Sequence, residues 1–105
     1  MSPEGVRSPG EHTRERIEAA AGKELAISLN ANPSTGYSWE ASFDDRFISL
    51  VRQDYRRASR LIGGGGTSTF TFLALVQGRT VITMRYRRPW EPEAVKVAEY
   101  EIEIA

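Results

Sequence analysis

The chain has 105 residues, no cysteine, and fourteen Lys and Arg against fourteen Asp and Glu, a formal net charge of zero. That length is one domain with one core, and balanced charge gives no global field to hold a nucleic acid or an acidic membrane. Without cysteine, disulfides, thiolate nucleophiles and soft metal sites fall away together, so the fold stands on packing alone in either redox compartment.

Residues 1–13 carry Pro3, Gly5, Pro9 and Gly10 and no apolar periodicity, and read as a disordered tail ahead of a domain spanning 14–105. The single histidine, His12, falls in that tail, which leaves histidine acid/base chemistry without a scaffold. The opening MSPEGVRSPGEHTRER lacks the apolar stretch of a secretory signal, and no run approaches the roughly 20 apolar residues of a bilayer span. The expected location is cytoplasmic as written, or secreted where a leader has been removed.

Arg14 to Ala20 is β-compatible. A helix over Glu15 to Ala21 is the rival reading, cut by Gly22 to a length that is marginal without packing. Leu25, Ile27 and Leu29 alternate with smaller or polar neighbours, the period of a half-buried strand. Tyr37, Trp39, Ala41 and Phe43 repeat that period until Asp44-Asp45-Arg46 breaks it with turn chemistry. A less regular strand runs from Phe47 to about Tyr55. Thr67 to Val76 and Thr80 to Tyr86, separated by Gln77-Gly78, read as a hairpin. Val95 to Ile104 sets Tyr100, Ile102 and Ile104 against Glu99, Glu101 and Glu103, so one face is solvated. About seven short strands with turns every 8–12 residues predict an all-β, immunoglobulin-like antiparallel sandwich, with a small barrel as runner-up. Trp39 stands where it can fill the core that a disulfide fills in antibody domains.

Strand parity then places three marked loops at one end. Asn32-Pro33-Ser34-Thr35-Gly36-Tyr37, Gly63-Gly64-Gly65-Gly66 and Arg88-Pro89-Trp90 each follow a strand running the same way, and the plain turns at Asp44 and Gln77 take the other end. Pro33 fixes its own φ and Gly36 permits a positive one, so the first loop presents Ser34 and Thr35 stiffly. The bland alternative is a turn whose hydroxyls bond its own backbone. The glycine run either lets its backbone approach another surface closely or is a floppy connector. Prolines at 89 and 92 keep Trp90 out of a central ladder, so it either stands exposed as an interface anchor or folds back over the core. Arg88 bonds a partner carboxylate or stacks on Trp90. Arg56, Arg57, Arg60, Arg85, Arg87 and Arg88 form either a basic patch that steers acidic partners or ordinary solvated surface.

Together the Asn32–Tyr37 motif, the glycine run and Tyr86-Arg87-Arg88-Pro89-Trp90-Glu91-Pro92 resemble the three signature loops of the chagasin family, immunoglobulin-like protein inhibitors of papain-like cysteine peptidases. The resemblance covers about Arg14 to Ala105. It implies a reversible, tight-binding, competitive inhibitor, monomeric and without a cofactor, whose partner is such a peptidase. Pro33, Ser34, Thr35 and Gly36 would be the wedge at the catalytic cysteine, with Asn32 and Tyr37 at its borders. Gly63 to Gly66 would lie along the substrate groove, and Arg88, Pro89 and Trp90 would form an aromatic clamp. Ser34 stands where the family commonly has a second threonine, which drops a methyl and its rotamer stiffness. The alternative is a non-inhibitory recognition or adhesion module that holds peptide or carbohydrate on the same rim. An enzyme using Asp44, Asp45 and Asp54 is a distant third, because parity sends the first two away from the loops.

Overall fold

A computed structural model of the chain describes residues 11–58 and 65–105. Seven strands follow in order: β1 Glu11–Ala19, β2 Glu24–Ala31, β3 Ser38–Ser42, β4 Ile48–Arg57, β5 Gly66–Ala74, β6 Gly78–Arg87 and β7 Lys96–Ile104, with one turn of 3₁₀ helix at Pro33–Thr35. They form a four-stranded sheet, β1-β7-β6-β3, packed on a three-stranded sheet, β2-β5-β4. All pairings are antiparallel except β1 with β7.

Period-two patterning decides what each strand buries. Tyr100, Ile102 and Ile104 of β7 meet Ile82, Met84 and Tyr86 of β6 from one sheet, and Ile27, Ile48, Phe70 and Phe72 close from the other. Each fully buried side chain of this size contributes roughly 1.5–3 kcal/mol relative to exposure. Trp39 takes the expected core place, 7% exposed, and its Nε1 donates to the Asn30 carbonyl at 2.8 Å, bridging the two sheets. The outer face of the large sheet is charge-paired instead. Arg14 reaches Glu99 at 2.8 Å, Arg16 bonds Glu103, and Arg79 approaches Glu103 at 3.5 Å.

Three expectations change. First, β1 starts at Glu11, so residues 11–13 belong to the sheet and not to a tail. Glu11 pairs with Lys96 and Thr13 with Ala98, and His12 lies 3.4 Å from Glu99. A polar edge strand held by backbone bonds and surface charge carries no apolar signature. The same pairing overrides the helical propensity of Glu15 to Ala21. Second, β5 and β6 are not a hairpin. They lie in different sheets: the Leu75 N–H bonds the Phe47 carbonyl at 2.8 Å, in register with the Ile48–Ala74 pair, so the chain stays beside β4 to that point and crosses the sandwich before β6 begins at Gly78. A reversal signal fixes direction, not partner. Third, β4 carries a bulge between Leu50 and Arg52. The extra residue inverts the alternation, so Arg52, Asp54 and Arg56 share the outer face with Thr71, Thr69 and Thr67.

Parity survives the crossover, since each connection still reverses direction. β2, β4 and β6 end at one pole, and β7 starts there. The parallel pairing sets the start of β1 at this pole too.

Candidate functional site

At that pole the chain between β2 and β3 is locked by its own side chains. Asn32 caps the 3₁₀ turn, its Oδ1 accepting from the Ser34 N–H at 3.3 Å and the Ser34 hydroxyl at 2.6 Å. The Thr35 hydroxyl donates to the Asn32 carbonyl at 2.7 Å. Gly36 closes the turn at φ +87°, its N–H bonded to the Pro33 carbonyl at 3.0 Å. Both hydroxyls are therefore engaged inside the loop, the self-bonded alternative, and they stiffen it from within. A core residue anchors it below: the Asn32 N–H donates to the Tyr86 hydroxyl at 2.8 Å.

Between β6 and β7 a second turn is held from the sheet. The Arg87 Nε donates to Glu40 at 2.9 Å and its Nη1 to the Glu91 carbonyl at 2.6 Å, while Glu91 N–H bonds the Arg88 carbonyl at 3.0 Å. Arg88 joins this turn to the first. Its Nε donates to the Thr35 carbonyl at 3.2 Å, and its guanidinium stands 4.4 Å over the Tyr37 ring and 5.8 Å from Trp90. Tyr37 stacks on Tyr86 at 5.3 Å, and Tyr86 meets Trp39 at 4.8 Å. A column of Arg88, Tyr37, Tyr86 and Trp39 thus runs from the surface into the core. Trp90 lies outside it, 69% exposed, and its indole edge packs 3.2 Å from where a Cβ on Gly36 would stand.

The glycine run is only partly within the described residues, which exclude Gly63 and Gly64. Gly65, at φ +73°, stands against the first loop, since a Cβ there would lie 3.2 Å from the Ala31 carbonyl and 3.6 Å from Asn32 Cβ. Its own carbonyl accepts from the Ala58 N–H at 3.0 Å. Gly66 is no loop residue. It opens β5, paired with both Ala31 and Arg57, and a Cβ there would stand 2.1 Å from the Arg56 carbonyl. Close backbone approach, not flexibility, requires glycine at this position. Between the first loop and Gly65 lies an open cleft of about 370 Å³ lined by Asn32, Ala58, Gly65, Tyr86 and Lys96 among others.

The structure therefore brings Asn32, Pro33, Ser34, Thr35, Gly36, Tyr37, Gly65, Arg88, Pro89 and Trp90 to one rim. Of the six arginines weighed as a basic patch or as ordinary surface, Arg60 lies outside the described residues, while Arg87 pairs with Glu40 at 2.9 Å and Arg88 with Glu91 at 3.6 Å. Tyr86, Glu40 and Glu91 hold the rim and were missed as site residues. Tyr86 carries a signal in hindsight, an aromatic on the inward face of β6 immediately before the loop. Asp44 belongs to the opposite pole, where the Arg46 side chain and backbone N–H bond it and hold its carboxyl down at about 2. That is the reverse of the raised pKa a general acid needs.

Residues 18–104 match the family model described as Chagasin family peptidase inhibitor I42. The sequence is similar to chagasin of Trypanosoma cruzi, 27% identical over 85 residues that span 75% of this chain and 77% of that protein. The fold resembles the crystal structure of the cysteine protease inhibitor EhICP2 from Entamoeba histolytica, with a TM-score of 0.79 at 23% identity over 93% of this chain and 100% of that one. It also resembles PbICP-C in its complex with falcipain-2, with a TM-score of 0.67 at 18% identity over 91% of this chain and 92% of that one. The self-locked rim thus sits on a matching sequence and a matching fold, and the chain belongs to the chagasin family of peptidase inhibitors.

Proposed function

We propose that the rim is the inhibitory surface, and that the chain is a reversible, tight-binding, competitive inhibitor of papain-like cysteine peptidases. Family membership supplies the class, an inhibitor and not an enzyme. Two solved structures of similar fold support the target, one being a cysteine protease inhibitor and the other held in complex with falcipain-2. The observation that carries the surface assignment is the preorganised first loop. Pro33 to Gly36 is fixed by Asn32, Arg88 and Tyr86 before any partner arrives, so little ordering entropy is left to lose on binding.

In this reading the self-bonded hydroxyls of Ser34 and Thr35 make the wedge rigid, and its outer surface blocks the nucleophile by occlusion. Gly65, with Gly63 and Gly64, lies along the substrate groove. Trp90, exposed beside Gly36, is the large rigid anchor that interface hot spots favour. Arg88 acts through the wedge, positioning it by way of Thr35 and Tyr37. Titrating a papain-like endopeptidase with the full chain at several substrate concentrations tests the proposal. Competitive inhibition at nanomolar protein with the inhibitor recovered uncut is expected. Absence of inhibition by folded, micromolar protein overturns it.

A further inference from the structure

β4 ends the small sheet, bonded to β5 on one side and to no described strand on the other. Leu50 to Arg57 are eight successive exposed residues, and Leu50, Val51 and Tyr55 are three of the seven large apolar side chains left exposed among the described residues. A long exposed edge of this kind is a template for another strand. Which backbone groups it offers follows from its last bond to β5. The Ala58 N–H donates to the Gly65 carbonyl at 3.0 Å, one step beyond the Arg57–Gly66 pair. In an antiparallel ladder both backbone groups of a residue point the same way and successive residues alternate. Ala58, Arg56 and Asp54 therefore aim at β5, while Arg57, Tyr55 and Gln53 aim at the free edge.

We infer that the occupant of this edge is the same edge of a second copy, paired antiparallel and centred on Tyr55. Two such strands bond only where edge-directed residues face edge-directed residues, so the two-fold axis must pass through a residue and not between two. Charge then selects the register. Centring on Asp54 sets Asp54 against itself and Arg52 against Arg56, and centring on Arg56 or Arg57 sets that arginine against itself. Centring on Gln53 runs the bulge between Leu50 and Arg52 against Tyr55 and Arg56. Centring on Tyr55 sets Asp54 opposite Arg56 of the second copy and, by symmetry, Arg56 opposite its Asp54. Opposite charges at cross-strand distance attract where like charges repel. The other two arginines meet neutral residues: Arg52, held in its own chain by Glu24 at 3.5 Å, falls opposite Ala58, and Arg57 falls opposite Gln53. Tyr55 meets Tyr55, an aromatic cross-strand pair. The strands run opposite ways, so the two rims point to opposite ends of the pair. One strand from each copy makes a small interface, and small interfaces associate weakly. The pair is therefore expected at micromolar concentration and above, outside the nanomolar range in which inhibition is read, and its test does not depend on the inhibitory reading.

Sedimentation of the full chain from micromolar to millimolar concentration, with amide exchange read on the same samples, tests the proposal. A monomer–dimer equilibrium is expected, with added protection at Gln53, Tyr55 and Arg57 and little at Asp54 and Arg56, whose amides already face β5. Asp54→Arg and Arg56→Asp each replace one exposed side chain and set like charges opposite one another, so each alone should weaken self-association about tenfold or more. Mixed in equal amounts, the two variants should pair with one another, because each supplies the charges that positions 54 and 56 of the other require. Pairing in the mixture also shows that both variants are folded. The two substitutions placed in one chain should restore self-association. A chain that stays monomeric at millimolar concentration, a dimer indifferent to both single variants, single variants that fail to pair when mixed, or new protection on β1 or β3 instead of β4 would each overturn the proposal.

Discussion

The Arg88 guanidinium stands 4.4 Å above the Tyr37 ring and reaches past it to the Thr35 carbonyl at 3.2 Å. Two loops that are 53 positions apart in sequence thereby share one fastening. Arg88→Ala should raise the inhibition constant by about tenfold, mostly through faster dissociation, because the wedge must then be ordered on binding. Arg88→Lys should recover little, since an ammonium cannot stack as a plane and bond a carbonyl at once. Stopped-flow association and dissociation rates check this, with Tyr37 ring resonances reporting the loosened loop.

Trp90 makes a different kind of contribution. At 69% exposed it stabilises the free protein little, so Trp90→Ala should leave the unfolding midpoint nearly unchanged. Inhibition should weaken by ~2 kcal/mol or more, as truncation of an aromatic hot spot does. An unchanged inhibition constant would assign Trp90 to shielding Gly36 and nothing more.

The pole that carries these residues was legible from direction alone. Each connection reverses the chain whether it pairs neighbouring strands or crosses between sheets, so parity placed the Asn32, Gly65 and Arg88 loops together although the β5–β6 hairpin was misread. What sequence could not supply was partner choice. Leu75 bonding Phe47, β1 pairing in parallel with β7, and Tyr86 holding Asn32 are all contacts between residues far apart in sequence, set by which apolar faces meet. The bulge in β4 was invisible for a related reason. Val51 reads as one more apolar residue in an irregular run, and only the register against β5 identifies it as the extra one.

Gly66 offers a test of the glycine run that separates close packing from flexibility. A Cβ there would stand 2.1 Å from the Arg56 carbonyl and 2.8 Å from the Tyr55 hydroxyl, and backbone cannot yield as a side chain can. Gly66→Ala should destabilise the fold by about 1–3 kcal/mol or shift the top of the β4–β5 ladder, as overpacking does. Gly36→Ala should cost roughly 1–2 kcal/mol for placing a side chain in the left-handed region, and it should also displace Trp90. Chemical denaturation of the two variants, with inhibition measured on the folded fraction, distinguishes them: Gly36→Ala loses inhibition beyond its loss of stability.

Tyr86 links core to rim through a single hydroxyl. In Tyr86→Phe the ring remains to stack between Tyr37 and Trp39, but the part-buried Asn32 N–H loses its acceptor. An unsatisfied buried donor costs about 1–3 kcal/mol, and the cost should appear both in stability and in affinity because the donor belongs to the wedge. Faster hydrogen exchange at the Asn32 amide is the specific signature.

Acid should release β1 before it opens the core. Hydrogen bonds from Arg14 hold the Glu99 carboxyl below its ordinary value, and hydrogen bonds from Arg16 do the same for Glu103. A carboxyl depressed in the folded state contributes stability that is fully present above its unfolded pKa and is lost as pH falls through the folded one. The ordinary glutamate value is 4.5, so protection of β1 amides should be flat from neutral pH down to about pH 5 and should fall below that value. Asp44 at the opposite pole, held at about 2 by Arg46, should keep its turn to lower pH than β1 keeps its pairing. Replacing Glu99 and Glu103 together with glutamine should remove the acid dependence of β1 and leave that of residues 44–46 intact. Amide exchange followed across the acid range reads both poles in one sample. A β1 whose protection falls together with that of β6 would show that the charge ladder does not govern the edge.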